Sequence, residues 1–213
     1  LAKVGALVMA GKKLKSLKIN REVVPKYFAV KEAVLPFSKF PEVDVLLGPE
    51  MKSTGEVMGI GNSFGEAYFK AQRAAGVILP KTGNVFISVR DKDKEPVCDV
   101  AEELIKIGFN LFATRGTQVH LEKKGIKCER INKVKQGHPH IVDMIKNGNV
   151  HLIINTTEGA LSIKDSFSIR KEANNHNVCL TTTISGAKAF CKAILFIDNF
   201  DALDIQSRHS SIN

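Results

Sequence analysis

The chain has 213 residues, 44% of them apolar, and a mean hydropathy of −0.04, enough to fill the core of one large domain or two small ones and too apolar for a disordered chain. It has no apolar run of 18 residues and no charged n-region followed by an h-region, so neither a membrane span nor a secretory signal is predicted. The net charge of +9 is spread evenly, with 12 basic and 7 acidic residues in 1–80 and 19 and 15 in 81–213; without a basic block longer than Lys12-Lys13 it argues for a solvated exterior that favours small anions, not a nucleic-acid surface.

Leu1 to Ala10 reads as a helix closed by Gly11, and Leu1, with no initiator Met, gives the expectation that the chain continues a longer one. Proline-punctuated extended segments follow (VVPKYF, VKEAVLPF, VDVLLGPE); Pro25, Pro36, Pro41 and Pro49 exclude long regular elements there. Asn62-Ser63 offers an N-cap for a helix through about Ala75, stopped by Gly76.

From residue 81 the texture becomes regular. Five apolar runs read as strands, at 84–89, 109–113, 128–132 (the weakest), 150–154 and 178–181, with helical patterns between them. Three of those helices end at Gly108, Gly125 and Gly148, each placed for a left-handed closing residue. The alternation predicts right-handed βαβ crossovers and a parallel sheet, and the consecutive apolar pairs Phe86-Ile87 and Leu152-Ile153 predict strands covered on both faces. The fold class is therefore α/β, a five-stranded parallel doubly wound domain preceded by a smaller α+β part. The last stretch, DIQSRHSSIN, is polar and aperiodic and reads as a loosely ordered tail. Cys98, Cys128, Cys179 and Cys191 are isolated among apolar neighbours, as in a reducing, cytoplasmic setting, and show no metal-binding spacing.

In an open parallel sheet, ligands bind beyond the carboxyl ends of the strands. The five ends are followed by Ser88, Arg90, Lys92 and Lys94; by Thr114-Arg115-Gly116-Thr117; by Lys133 and Lys135; by Asn155-Thr156-Thr157; and by Thr182-Thr183 with Ser185. Hydroxyls, amides and cations dominate and carboxylates are scarce, a lining that suits a phosphate, with a helix beginning near Thr117 aiming its free N–H groups at the same spot. Any one of these residues alone reads as a helix cap; five ends with one bias point to an anion site. No GxGxxG, P-loop, HExxH or nucleophile elbow is present, and His138 and His140 in GHPH have no Cys or carboxylate partner at an evident spacing, so they read as a helix start with Pro139 in its first turn. Asp91, Asp93 and Glu158 are the only strand-end acids, and each reads equally well as a surface residue.

The stretches VKEAVLPFSKFPEVDVLLGPEMKSTGEVMGIG, FATRGT, INKVKQGHPHIVDMIKNG and LIINTTEG resemble the C-terminal fifth of the large subunit of bacterial carbamoyl-phosphate synthetases, over all but the tail after about residue 200. The resemblance implies that residues 1–75 end the second ATP-grasp unit and that 76–213 form a methylglyoxal-synthase-like allosteric domain. It implies no catalytic residue, metal or cofactor in this stretch, the ATP and its Mg or Mn being held upstream. It implies a nucleotide monophosphate effector, UMP or IMP, at Ser88, Lys94, Thr114, Thr117, Lys133, Asn155 and Thr157, and an ornithine site including Glu32 and Thr182. The whole enzyme would make carbamoyl phosphate from bicarbonate, glutamine-derived ammonia and two ATP for pyrimidine and arginine synthesis, with a glutaminase small subunit as partner and no nucleic acid or membrane. The chain departs from relatives at Leu180 (a tyrosine in some), at Ala160-Leu161 (two arginines) and at Arg115 (a histidine). Alternatives are a lyase acting on dihydroxyacetone phosphate, against which Lys133-Val134-Lys135-Gln136-Gly137 lacks the aspartate of methylglyoxal synthase, or an interaction module that has lost regulation.

Overall fold

The computed structural model describes residues 2–19, 24–37, 45, 54–202 and 204–210. The expectations drawn on Pro41, on Pro49 and on VDVLLGPE apart from Val45 lie outside these residues.

Helix α1 (Ala2–Met9) buries none of its residues. Strands β1 (Phe28–Val34) and β2 (Gly55–Gly61) pair antiparallel, from Phe28 opposite Gly61 to Val34 opposite Gly55. Helix α2 (Phe64–Ala74) lies across them. Its N-terminus is a reciprocal cap: Ser63 Oγ accepts from Glu66 N at 3.3 Å, and Glu66 Oε2 accepts from Asn62 N at 2.7 Å. The approach is close because glycines line it. A methyl at Gly59 would land on the backbone of Ala67 and Ala71, and one at Gly65, on the far side of α2, would sit 2.6 Å from Lys192 O. Thus α2 is wedged between the small sheet and helix α8 (Ile184–Ile194).

The second region is the predicted parallel sheet: β3 (Gly83–Ser88), β4 (Phe109–Ala113), β5 (Glu129–Arg130), β6 (Leu152–Asn155) and β7 (Cys179–Thr181), in the spatial order β5-β4-β3-β6-β7 with every pair parallel. β5 is shorter than the sequence suggests. It pairs only through Glu129 and Arg130, both exposed, opposite Phe112 and Ala113 at the sheet edge. Apolar side chains divide between two cores. Val85, Ile87, Leu111 and Ile154 face one side with α3 (Lys94–Ile107), α4 (Arg115–Lys123) and α8; Phe86 and Ile153 face the other with α5 (Ile141–Lys146) and α7 (Phe167–Asn175). Val85, Phe86 and Ile87 are each fully buried, which is why the strand carries no polar alternation; each such side chain contributes roughly 1.5–3 kcal/mol. Gly108, Gly125 and Gly148 close their helices with φ of +111°, +79° and +69°.

Two further elements come from segments without an apolar period. Helix α6 (Ala160–Asp165) precedes α7, and the polar end of the chain, read as a loose tail, forms α9 (Ile205–Ser210). There Asp204 Oδ1 accepts from Ser207 N at 2.7 Å, a local cap that needs no apolar periodicity.

Candidate functional site

The chain runs outward from β3 to β4 and β5, then returns to the other side of β3 for β6 and β7. This reversal sets the topological switch point at the carboxyl ends of β3 and β6. A cavity of about 650 Å³ opens there, lined by Ser88, Val89, Arg90, Asp91, Lys133, Val134, Gln136, Thr156, Thr157, Glu158, Ser162, Ser166 and Ile169.

Three of the residues predicted for an anion, Ser88, Lys133 and Thr157, line this cavity directly. The other four stand around it. Thr114, at the N-cap of α4 and 4% exposed, donates through Oγ1 to Ser88 Oγ at 3.4 Å. Thr117 is tied to the scaffold, its Oγ1 accepting from Val89 N at 3.3 Å where the chain leaves β3. Asn155 faces Ser88 in the β3–β6 register, is buried, and donates through Nδ2 to Ser166 Oγ at 3.4 Å. Its Oδ1 has no hydrogen-bond partner among the described residues. Lys94 opens α3 and lies beside Gly116, its Nζ 2.7 Å from Asp91 Oδ1.

Helix α4 begins at Arg115, two residues earlier than the sequence reading. The carbonyl of Thr114 accepts from Thr117 N at 2.9 Å and Gln118 N at 2.8 Å, so the Thr-Arg-Gly-Thr segment is itself the first turn. Intrahelical acceptors are then lacking for the amides of Arg115 and Gly116.

The electrostatics differ from the expectation of scarce carboxylates. All three cations after β3 carry one: Arg90 Nε meets Asp93 Oδ2 at 2.6 Å, Lys92 Nζ meets Glu158 Oε1 at 3.0 Å, and Lys94 holds Asp91. The hydrogen bond from Lys94 keeps the Asp91 carboxyl below the ordinary range. Burial tends to raise the Asp93 carboxyl, but bonds from Thr156 and Arg90 outweigh it, and it too is held low. These acids are therefore anions at neutral pH, not proton donors. Lys133, exposed at the cavity, has no carboxylate partner among the described residues, and supplies its uncompensated positive charge.

Thr156 was visible in the sequence only as one of a Thr pair. Its Oγ1 accepts from Arg90 N at 3.1 Å and its hydroxyl serves Asp93, which fixes the loop after β3. Ser162, Ser166 and Ile169 were missed. They come from α6, α7 and the link between them, and their one sequence signal is the four-residue spacing of the two serines.

Glu32, on β1, is half-buried against Gln72, and burial raises its carboxyl despite a hydrogen bond from that amide. Tyr68 of α2 lies in the field of both Glu32 and Cys179, and burial raises its phenol. Thr182 follows β7. A second cavity of about 440 Å³ lies nearby, between Gln72–Ile78 and the start of β7, with Leu180 and Phe190 in its wall; neither Glu32 nor Thr182 lines it.

The GHPH segment also departs from the sequence reading. His140 is the N-cap of α5, with Pro139 before the cap, and a carboxylate does reach both histidines: Asp143 Oδ2 lies 2.6 Å from His138 Nδ1 and accepts from His140 N at 2.9 Å.

A five-stranded open parallel sheet with a polar hollow at its switch point is an α/β domain, and its residues 96–182 match the MGS-like domain. Along its whole length it is homologous to the C-terminal region of carbamoyl phosphate synthase large chains, being 54% identical over 212 residues to that of Pseudomonas putida, 51% over 212 to that of Xanthomonas campestris and 51% over 213 to that of Ralstonia nicotianae. The chain spans about 20% of the length of each of these relatives. Among solved structures, a methylglyoxal synthase from Elizabethkingia anophelis superposes with a TM-score of 0.41 at 17% identity, covering 62% of this chain and 92% of that one.

Proposed function

We propose that this chain is the regulatory end of a carbamoyl phosphate synthase large chain and binds a nucleoside monophosphate at the carboxyl ends of β3 and β6. The observation that carries the reading is the cavity at the switch point, where Lys133 stands without a carboxylate partner among the described residues and Ser88 and Thr157 present hydroxyls. Charge-assisted hydrogen bonds to a phosphate contribute about 1.5–3 kcal/mol each. The buried Asn155 Oδ1 asks for a donor, and a bound ligand or water that supplied one would recover roughly 1–3 kcal/mol of desolvation cost.

Two acids at the rim are tied to lysines in this reading, Asp91 to Lys94 and Glu158 to Lys92. The domain is a sensor, and the synthesis of carbamoyl phosphate from bicarbonate, ammonia and ATP belongs to the rest of the large chain, with ammonia drawn from a glutaminase partner. Binding is felt elsewhere through α2, which joins the small sheet to α8; such coupling is typically about 1–3 kcal/mol.

Calorimetric titration of the chain with UMP, IMP and inorganic phosphate tests the proposal. Saturable heat with at least one nucleotide, stronger than with phosphate alone, is expected. Absence of heat with all three at millimolar concentration refutes it.

A further inference from the structure

We propose that His138, His140 and Asp143 form a binding site for a divalent transition-metal ion of the zinc type. The three side chains offer two imidazole nitrogens and one carboxylate oxygen, all within 4.8 Å of one another. One of the distances is already that of a coordination sphere and a second is shorter. With metal–ligand bonds of about 2.0–2.1 Å, the edge of a tetrahedron is about 3.3 Å. His140 Nδ1 lies 3.2 Å from Asp143 Oδ2, and His138 Nδ1 lies 2.6 Å from the same oxygen. The first pair needs no adjustment. The second must open by about 0.7 Å, and its histidine, with 76% of the side chain exposed, is free to do so.

A helix cap alone does not account for the arrangement. The cap of α5 needs His140 and Asp143: Asp143 accepts from His140 N and donates from its own N to His140 Nδ1 at 3.3 Å. His138 contributes nothing to that exchange, yet its ring centroid sits 4.3 Å from that of His140 and its nitrogen converges on the shared oxygen. Releasing His140 Nδ1 to a metal leaves no orphan donor either, because Asp143 N also bonds His140 O at 3.0 Å. His140 is buried, His138 is exposed, and three protein ligands would leave a fourth position for water, as in three-ligand zinc sites. Two nitrogens and a single carboxylate oxygen favour zinc, cobalt or nickel over magnesium or calcium, which take oxygen ligands.

The other cluster of this kind, Glu95, Cys98 and His120, is a weaker candidate. Lys124 Nζ lies 2.6 Å from Glu95 and already neutralises its carboxylate, and burial raises the Cys98 thiol. The metal proposal stands on its own geometry and does not depend on the nucleotide reading.

The test is a Co²⁺ titration of the chain followed by its visible d–d absorption, with Zn²⁺ competition. One Co²⁺ per chain is expected, displaced by Zn²⁺. His138→Gln, at an exposed position, should keep the fold by circular dichroism and weaken Co²⁺ binding at least tenfold, the low end of the loss seen even for outer-sphere partners; Cys98→Ser should leave it unchanged. In the wild-type chain, Co²⁺ should broaden the ring resonances of His138 and His140 before any others, a readout independent of the variants. Unchanged affinity in His138→Gln, a thiolate-to-cobalt band, broadening centred on His120, or no uptake at millimolar Co²⁺ would each overturn the proposal.

Discussion

Lys133→Ala isolates the electrostatic part of the proposed site. The side chain leaves the scaffold at the end of the third segment of the sheet, is exposed, and has no ion-pair partner among the described residues, so removing it should leave the fold intact. A hydrogen bond between an ammonium and a phosphate contributes about 1.5–3 kcal/mol, equivalent to roughly 13- to 150-fold in affinity. Exposure to solvent screens this charge, which places the expected loss at the lower end, about tenfold. Calorimetry with UMP and IMP at two ionic strengths reads it. The wild-type Kd should rise with salt more steeply than that of the variant, because the variant has lost a cation of the cavity that has no carboxylate partner among the described residues. Wild-type affinity and salt dependence in Lys133→Ala, with the wild-type chain binding normally, would refute the assignment of Lys133 as an anchor.

Other changes separate the scaffold from the ligand. Thr117→Val removes the acceptor of a buried amide, so a loss of about 1–3 kcal/mol in denaturant unfolding is expected; a neutral result would mean that Val89 N finds water. Gly59→Ala forces the small sheet away from α2 and should cost about 1–3 kcal/mol in thermal or chemical unfolding, the usual penalty of overpacking. The carboxyl of Asp93 is held low in the folded chain, so the stability it adds is present above its unfolded pKa of about 3.9 and is lost as pH falls through its folded value; Asp93→Asn should flatten the acid limb of the stability profile measured below about pH 4. Burial pushes the thiols of Cys128, Cys179 and Cys191 up to about 12, so a thiol reagent at pH 8 should label them only after denaturation.

The sheet was legible because its chemistry is local. Val85, Phe86 and Ile87 announce a strand buried on both faces, and the glycines that end helices need only their own φ. The convergence of hydroxyls at the strand ends was legible for the same reason, since a parallel sheet brings all carboxyl ends to one edge. Part of what escaped depends on partners remote in sequence. Nothing in Lys92 foretells Glu158, 66 residues away, so the lining looked more basic than it is. Thr117 also has a scaffold role that its sequence does not reveal, because the Val89 N that bonds its oxygen lies 28 residues away. α6 and α7 carry serines and charges where a helix of the core would carry a full apolar face, and α9 has no such face, so the wall formed by Ser162 and Ser166 was invisible. Asp143 was overlooked as a partner of the histidines because a cap, not a ligand spacing, brings it round to them.

The most direct measurement is a map of backbone amide shifts during titration of the isotope-labelled chain with UMP and IMP. The account predicts saturable changes grouped at Ser88, Lys133 and Thr157, with the amides of Arg115 and Gly116 responding to the phosphate. Changes confined to the hollow beside Leu180 and Phe190, or none at millimolar nucleotide, would contradict it.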